Sequence, residues 1–463
     1  MGVPYLYLNL YKKFKKTKDL VVRNTDLPHS RGDRKLYFDF NSLIHPCANI
    51  VCESTENSET IEQDIINFVI AFTKNIIKSL TVDFSDVLIF ADGLAPFGKI
   101  LQQKERRFRS VFLKLQNSET SRFDNTQISP GTNFMKRLEK NLRNDTSLRD
   151  CHIDFSKGEA EHKILKHIKD NDLQNEIFIY GLDADLIILS LLTDYNISLI
   201  RQKRIMPTFN VSDMEFEVLD VKLLKRAIIE EYKIKNPELF FDNLVFITFL
   251  LGNDFIKHVP FLVMDDLSNI LYICSNLNEF IYHDERLNLQ MFTRVLNEID
   301  KLIRLSTHKR TKTINAVEYT NNNWLKHSCP KWVWVYKTDY VNYPNKFYKD
   351  KYYLYYGIKP CKITDLCQKF LSNMVWNFVY YKLNSEPREY TFHELECAPL
   401  LRDFINNLPN CHVEKQPYKS FINTEQDQLK FILPSKEIIE SPKYPNVILD
   451  GYNCEWLWET RLI

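Results

Sequence analysis

Short apolar runs alternate with longer amphipathic segments through the first 260 residues of the chain. The apolar runs are β-rich and have the length of buried strands, and they cover residues 35–40, 87–91, 176–180 and 197–201. Helical spacing of apolar positions recurs over residues 61–80, and a charged helix is predicted over 99–115. Alternation of strands and helices predicts an α/β fold, a mostly parallel central sheet flanked by helices.

The pattern changes near residue 265. Before that residue, the turn-forming Ser129-Pro130-Gly131 and the cap Thr132 are expected to open a helix. Leu244 to Leu251 is expected to form a buried helix. From residue 265 onward, helices and then an aromatic-rich segment follow. We therefore predict an α/β core over 1–264 and a helical, aromatic-rich region over 265–463 that packs on it.

Aromatic side chains are concentrated in the second region. They are Trp324, Trp332, Trp334, Tyr352, Tyr353, Tyr355, Tyr356, Trp376, Tyr380 and Tyr381. Packing in the core is the better interpretation for most of them, and one or two are candidates for stacking on bases.

Composition restricts the function only weakly. The formal net charge is +1, so the total does not indicate a strongly basic nucleic-acid binder, although an acidic metal site would offset a basic substrate track. Ten cysteines occur without a CxxC pair, which argues against a zinc ribbon. Free thiols in a reducing compartment are expected, in the cytoplasm or the nucleus. No apolar run has the length of a membrane span.

Acidic residues follow the predicted strands. Asp39, Asp92 and Asp183 lie at or just after strand ends, where the sites of parallel sheets form. Other carboxylates also lie at element ends or in apolar surroundings, which gives the candidate set Asp39, Asp92, Glu159, Glu161, Asp183, Asp185 and Asp254.

Converging carboxylates repel one another unless cations neutralise them. Mg²⁺ or Mn²⁺ suits an all-oxygen site, and two such ions could activate water and stabilise the leaving oxygen of a phosphodiester. Each carboxylate alone is more often a helix cap or an ion-pair partner. Spacing alone therefore leaves open both a metallonuclease and another Mg²⁺-dependent phosphoryl-transfer enzyme.

A basic segment follows the Asp92 strand. Residues 99–109 carry five cations and one acid, and Lys99, Gln103, Arg106 and Arg107 fall on neighbouring faces of a helix. Arginine can grip phosphate oxygens with two hydrogen bonds. A solvated charged helix is the alternative interpretation.

These segments together resemble the Xrn family of 5′→3′ exoribonucleases. The resemblance rests on motifs in family order: Met1-Gly-Val-Pro4, Asp39-Phe-Asn-Ser-Leu-Ile-His45, Asp92-Gly-Leu-Ala-Pro96, the basic segment 99–109, Ile128-Ser-Pro-Gly-Thr-Asn-Phe-Met135, Gly158-Glu-Ala-Glu-His-Lys163, Tyr180-Gly-Leu-Asp-Ala-Asp-Leu-Ile187 and Gly252-Asn-Asp-Phe-Ile-Lys-His-Val-Pro260. Thinner similarity to the second conserved region of the family includes Trp376-Asn-Phe-Val-Tyr-Tyr381 and Ala398-Pro399.

The resemblance implies a nuclease core of the PIN/FEN-like type and hydrolysis of single-stranded RNA with a 5′-monophosphate to mononucleotides. It implies that the seven carboxylates hold the metal ions. The 5′-phosphate pocket would be formed by Lys99, Gln103, Arg106 and Arg107. His45 would stack on the first base, and Asn41 would support the site near Asp39.

One departure concerns the family's Trp-rich stretch, in which one Trp stacks on the substrate. Residues 387–399 contain no Trp, so Tyr390 or Phe392 is expected to take its place. The short second region predicts a minimal member, of the kind a compact viral genome encodes.

Two alternatives remain, one within the enzymes and one from a different class. A DNA nuclease related to flap endonucleases would usually carry a Gly-x-Gly turn, and none follows Asp254. A catalytically inactive RNA-binding scaffold would have no need of mutually repelling carboxylates. We expect a monomer that acts on RNA and not at a membrane.

Overall fold

The computed structural model describes residues 6–23, 27, 33–54, 59–80, 83–116, 122–202, 215–262, 264–311, 346–416 and 422–432. Among these residues no helix is both long and apolar enough to cross a membrane.

A seven-stranded sheet forms the centre of the molecule, in the order β1-β7-β6-β5-β2-β3-β4. Its strands are β1 (Val21–Arg23), β2 (Arg34–Asp39), β3 (Asp86–Phe90), β4 (His152–Asp154), β5 (Glu176–Tyr180), β6 (Asn196–Gln202) and β7 (Phe216–Asp220). The strands from β6 to β4 in this order pair in parallel, and β7 pairs antiparallel with both β6 and β1. The predicted mostly parallel sheet is therefore confirmed.

Helices cover both faces of this sheet. In the first 264 residues they are α1 (Leu6–Phe14), α2 (Asn41–Ser54), α3 (Ile61–Ser79), α4 (Phe97–Gln116), α5 (Asn133–Asn144), α6 (Ala160–Asp170), α7 (Asp185–Leu191), α8 (Val221–Tyr232) and α9 (Pro237–Thr248). Later come α10 (Leu267–Ser275), the hairpin β8 (Tyr282–His283) and β9 (Arg286–Leu287), α11 (Leu289–Thr311), α12 (Lys346–Tyr355), α13 (Ile363–Leu383), α14 (Leu401–Asn407) and α15 (Glu425–Ile432). Short 3-10 turns lie at Asn125–Gln127, Phe249–Leu251, Met264–Asp266, Pro360–Lys362 and Leu408–Asn410.

The alternation of side chains along each strand separates two apolar cores. Tyr37 of β2 belongs to one core, whereas its neighbours Leu36 and Phe38 belong to the other. Ile179 and Tyr180 of β5 divide in the same way. Because successive side chains of a strand point to opposite faces, a sheet that is covered on both sides needs apolar residues at nearly every position.

The sequence located the central strands to within one residue and missed the short edge strands β1 and β4, which have three residues each. It also missed β7. The predicted buried helix near 244–251 is the end of α9 followed by a 3-10 turn. The predicted cap is present, since the Thr132 hydroxyl accepts a hydrogen bond from the Met135 amide.

Helix α13 runs through the larger core and brings the second region against the first. Trp376, Tyr380 and Tyr381 on this helix are buried, and so are Tyr352 and Tyr353 of α12, so core packing is confirmed for them. Trp324, Trp332 and Trp334 lie outside the described residues. The division at residue 264 stays a prediction.

Candidate active site

The carboxyl ends of the parallel strands place three predicted carboxylates at one edge of the sheet. Asp39 is the last residue of β2, Asp92 lies two residues beyond β3, and Asp183 lies three residues beyond β5. Strand β2 pairs with both β3 and β5, so it lies between them. Asp185 begins α7 directly after this edge.

Two loops join Asp92 to Glu159. The Gly93 amide donates to the Gly158 carbonyl at 2.9 Å, and the Gly158 amide donates to the Leu94 carbonyl at 2.9 Å. The Ala160 amide, in the first turn of α6, donates to the Asp92 carboxylate at 2.9 Å. A β-carbon at Gly93 would lie 2.0 Å from the Ser156 carbonyl oxygen, so only glycine permits this approach.

A second glycine brings Asp39 close to the loop that carries Asp183. A β-carbon at Gly181 would lie 2.2 Å from Leu186 Cδ1 and 3.5 Å from Asp39 Oδ2. Arg201 Nη2 of β6 donates to the Leu182 carbonyl at 2.7 Å and fixes the same loop. The Asp-x-Asp pair is thus held by these loop contacts and by the Asp185 amide, which donates to Asp183 Oδ1 at 3.2 Å.

Asp254 follows the 3-10 turn Phe249–Leu251 and is connected to the cluster by an ion pair with Lys99. The Lys99 ammonium lies 2.6 Å from Asp254 Oδ2 and 2.7 Å from Glu159 Oε1. Gln102 Nε2 donates to Asp254 Oδ1 at 2.9 Å. Lys99 is buried and therefore bridges two carboxylates of the cluster.

The pKa values of the carboxyls show how crowded the negative charge is. Burial raises the pKa of Asp39 to about 7, and Asp92 and Asp183 add to the effect while a hydrogen bond from Ser42 opposes it. Burial raises the pKa of Asp185 to about 8, with further contributions from Asp183 and Asp254. A buried carboxyl beside others resists ionisation because its charged form has little solvation and meets repulsion.

The remaining members complete one interacting group. Burial raises the pKa of Glu161 well above its usual range, against the effect of Lys99, and Asp183 and Glu159 raise it further. Burial also raises the pKa of Glu159, although Lys99 opposes this. Burial acts to raise the pKa of Asp254, but Lys99 and Arg106 are among the positive groups that together outweigh it, so the pKa of Asp254 is lowered. All seven predicted carboxylates therefore lie in one electrostatic cluster.

The cluster fits divalent cations. Among the described residues, both carboxylate oxygens of Asp185 and Oε1 of Glu161 are buried without a hydrogen-bond partner. One ligand atom from each of Glu159, Glu161 and His162 lies within 4.8 Å of the others. Buried carboxylates are costly unless they are paired or coordinate a metal, so these oxygens match the ligands that a hard divalent cation takes.

The four residues predicted to bind a 5′-phosphate lie along α4, but they have different surroundings. Lys99 is paired within the acidic cluster. The Gln103 side-chain oxygen accepts from Gln428 Nε2 of α15 at 2.9 Å. Arg107 donates to the Thr126 carbonyl and to Ser129 Oγ. Arg106 is half-buried and makes no hydrogen bond or ion pair with the residues that the structure describes.

His45 and Asn41 lie at the start of α2, next to the cluster. Burial lowers the pKa of His45 to about 4, and the charges of Arg106 and Arg107 contribute. The ring is therefore neutral at physiological pH, and it is half-buried. Asn41 Oδ1 accepts a hydrogen bond from the Asp92 amide at 3.1 Å, so Asn41 orders the loop that carries Asp92.

The expected aromatic replacements for the missing Trp are both buried. Tyr390 is 4% exposed, and its hydroxyl lies 2.8 Å from that of Tyr282. Phe392 is 6% exposed and packs edge-on against Trp376, with ring centroids 5.0 Å apart. Both rings belong to the larger apolar core, Phe392 through its contact with Trp376 of α13, and Tyr390 also lines a cavity beside α6. A stacking role for Tyr390 therefore stays a prediction.

Several contacts of the site were not predicted. The Tyr380 hydroxyl donates to Glu159 Oε2 at 2.8 Å, and its ring stacks on His162 with centroids 3.8 Å apart. The Gln102 side chain donates to Asp254, and the Gln428 side chain donates to Gln103. Tyr380 and Glu159 are 221 positions apart in the chain, and no local pattern indicates such a contact.

Known proteins provide an independent comparison. Residues 1–203 match the family model described as XRN 5′-3′ exonuclease N-terminus. The chain is 30% identical over 357 residues to 5′-3′ exoribonuclease 1 of Homo sapiens, an alignment that covers 66% of this chain and 20% of the human protein. It is 28% identical over 384 residues to 5′-3′ exoribonuclease 2 of Debaryomyces hansenii, covering 65% of this chain and 38% of that protein. The chain thus spans less than half the length of these relatives.

Solved structures share only a distant likeness with the chain. The catalytic core of Rad2 in complex with a DNA substrate has a TM-score of 0.34 and 12% identity over 72% of this chain and 85% of that one. The bacteriophage T5 flap endonuclease with DNA and metal ions has a TM-score of 0.33 and 13% identity over 67% of this chain and 94% of that one. Scores this low carry no argument about substrate. The N-terminal part of the chain is thus similar to the XRN 5′-3′ exonuclease N-terminus, and about two thirds of the chain is similar to proteins named 5′-3′ exoribonuclease.

Proposed function

We propose that this protein is a 5′→3′ exoribonuclease that uses Mg²⁺ or Mn²⁺, as two ions, to hydrolyse single-stranded RNA with a 5′-monophosphate to mononucleotides. The position of Arg106 is the observation that carries this proposal. Its charge adds to that of Lys99 in lowering the pKa of Asp254, against the effect of burial. The same guanidinium contributes, after burial, to the low pKa of His45.

Arg106 therefore lies within electrostatic reach of both the acidic cluster and the candidate stacking ring. A guanidinium without a protein partner is suited to hold a phosphate oxygen pair. The separate roles of the neighbouring residues follow from their contacts. Arg107 fixes the turn at 126–129, and Gln103 ties α4 to α15. Arg106 is thus the residue of the four that can contact the terminal phosphate directly.

The seven carboxylates would hold the metal ions. When bound, such ions supply an activated water and stabilise the leaving oxygen of the phosphodiester. Lys99 offsets part of the negative charge through Glu159 and Asp254. Tyr380 orients Glu159 by its hydrogen bond, and Asn41 holds the Asp92 loop.

Recognition of the end is supported by the contacts of the four residues on α4, of which Arg106 alone has no partner among the described residues. A single guanidinium beside the buried Arg107 can take one terminal phosphate, whereas a cap or triphosphate adds charge and bulk that these residues do not accommodate. A neutral His45 ring can stack on the first base, and base–aromatic stacking contributes about 1–3 kcal/mol per base. Each cut leaves a new 5′-phosphate, so the same contacts serve the next cycle.

We further propose that the protein acts as a monomer in a reducing compartment, the cytoplasm or the nucleus. The support is that all eight described cysteines are free thiols, among them Cys47, Cys274, Cys367, Cys397 and Cys411, which are buried.

The test uses RNAs of one sequence that carry a 5′-monophosphate, 5′-triphosphate or 5′-hydroxyl, with Mg²⁺, with Mn²⁺ or with a chelator. A single-stranded DNA and a flapped DNA duplex serve as competing substrates. The proposal expects metal-dependent loss of the monophosphorylated RNA and little loss of the other two. Preferential cleavage of the flap would assign the protein to the DNA nucleases instead. Binding without cleavage in every metal condition would indicate an RNA-binding scaffold.

A further inference from the structure

His162 adds a nitrogen donor to the acidic cluster. It lies on α6 directly after Glu161, and one of its ring nitrogens lies within 4.8 Å of a carboxylate oxygen of both Glu159 and Glu161. The side chain is 2% exposed. A histidine so placed is a different kind of ligand from the seven carboxylates.

The ring is oriented by packing rather than by hydrogen bonds. Neither ring nitrogen has a hydrogen-bond partner of normal geometry among the described residues. Burial and the charge of Lys99 lower the pKa of the ring, and the nearby Asn384 side chain opposes them in part. Tyr380 stacks on one face with an interplanar angle of 30°, and Tyr381 contacts the ring edge-on at 5.2 Å between centroids. A buried polar ring with both nitrogens unpaired is costly unless it meets a ligand.

The donor set indicates which metal would bind. Mg²⁺ prefers oxygen ligands and rarely takes imidazole, whereas Zn²⁺ is commonly bound by imidazole and carboxylate together. Ligand atoms around a tetrahedral Zn²⁺ lie about 3.3 Å apart, because each bond is about 2.0–2.2 Å long. The three donors would therefore close by about 1.5 Å at most, a movement that side-chain rotation can supply.

An approach to His162 is also present. The ring lines a cavity of about 870 Å³ between α6 and the segment 378–390, which Lys163, His283 and Tyr390 also line. Gly158, next to Glu159 in the chain, and Tyr380, which donates to Glu159, line the same cavity. His45 and Arg106 do not line this cavity, so it offers a cation an approach to His162 that is separate from them.

We propose that Glu159, Glu161 and His162 form a Zn²⁺ site that overlaps the catalytic cluster and inhibits the enzyme when it is occupied. Zn²⁺ would take two carboxylates that the Mg²⁺ site requires, so the two metals would compete. Binding of Zn²⁺ stands on the geometry alone. Its inhibitory effect rests on the proposed function.

The experiment measures Zn²⁺ affinity directly, by competition with a chromophoric chelator in the absence of Mg²⁺ and RNA. The wild type is compared with His162→Phe, which keeps the stack on Tyr380 and removes both nitrogens, and with His162→Gln. His283→Gln is the matched control, because His283 lines the same cavity and lies outside the donor set. Circular dichroism and melting temperature establish that each variant is folded.

We expect both His162 variants to bind Zn²⁺ at least about tenfold more weakly than the wild type and the control, since even changes to residues that only orient the ligands of a metal cost about 10–100-fold in affinity. Added Mg²⁺ should weaken Zn²⁺ binding to the wild type. In cleavage assays at fixed Mg²⁺, the variants should need about tenfold more Zn²⁺ for half inhibition. Equal Zn²⁺ affinity in a folded His162→Phe protein overturns the site. Weakened Zn²⁺ binding in a protein that cleaves no RNA would keep the site and refute the proposed function alone.

Discussion

Replacing Asp185 by asparagine tests the physical basis of the metal site. The side chain is fully buried, and its two oxygens have no hydrogen-bond partner among the described residues. Burial, Asp183 and Asp254 raise its pKa from 3.8 to about 8. The folded protein therefore holds a proton between about pH 4 and pH 8 that the unfolded chain releases. The resulting stability is fully present below about pH 4 and is lost as the pH rises through about 8.

The size of the effect follows from this difference. A pKa difference of one unit corresponds to about 1.4 kcal/mol. Relative to its value at acid pH, the stability that the raised pKa of Asp185 removes is therefore at most on the order of 5 kcal/mol at pH 8 and less than half of that at pH 5. Asp185→Asn removes the charge and keeps the shape. Without metal, we expect the variant to be more stable than the wild type by about 1–5 kcal/mol at pH 8, with a smaller gain at pH 5.

The assay is urea unfolding of both proteins at pH 5 and pH 8, with a chelator or with Mg²⁺. Asp150→Asn, a change at an exposed acid, is the control and should alter stability little at either pH. Mg²⁺ should reduce or reverse the advantage of Asp185→Asn, because the ion stabilises the wild-type carboxylate. RNA cleavage by the variant should be lost. An Asp185→Asn protein that is no more stable at pH 8 in chelator, or that cleaves at the wild-type rate, would refute the assignment.

Three further changes test the surroundings of the cluster. Arg106→Ala should reduce the preference for 5′-monophosphate over 5′-hydroxyl RNA, measured by kcat/KM, by about 1.5–3 kcal/mol. Lys104→Ala on the same helix is the control, and equal slowing of both substrates would contradict recognition of the 5′-phosphate by Arg106. Tyr380→Phe removes the hydrogen bond to Glu159 and should raise the Mg²⁺ concentration for half-maximal activity several-fold without unfolding the protein. An unchanged Mg²⁺ requirement would show that Tyr380 contributes to core packing and not to the orientation of Glu159. Phe392→Ala should destabilise the fold by about 3–5 kcal/mol and leave the number of cuts per encounter with the RNA unchanged. Fewer cuts per encounter in a stably folded variant would instead indicate that Phe392 stacks on the substrate.

The sheet and its acidic edge were predictable because they follow from local sequence. A short apolar run predicts a buried strand, and in a parallel sheet a carboxylate just beyond such a run must lie at the common edge, as Asp39 and Asp92 do. The edge strands β1 and β4 were missed because three residues carry too little periodicity to predict a strand.

The surroundings of the phosphate-binding helix were less predictable because they depend on residues distant in the chain. Spacing along α4 grouped Lys99 with Arg106, yet Lys99 is occupied by Glu159 and Asp254. The partner of Gln103 is Gln428, which lies 325 positions away. The placement of Tyr390 depends on its contact with Tyr282, 108 positions away in the chain, and a motif comparison cannot supply that information. Local sequence thus predicts the type of site, and tertiary packing decides which side chains remain available to a substrate.

The most direct test of the central claim is the size of the first products. A 5′-monophosphorylated RNA labelled along its whole length is incubated with the wild-type protein and Mg²⁺, and products are resolved from the earliest times, with Asp185→Asn as the inactive control. The account predicts mononucleotides at every time, no short oligonucleotides, and blockage when the 5′ end carries a hydroxyl. Internal fragments at early times, or equal degradation of 5′-hydroxyl RNA, would contradict it.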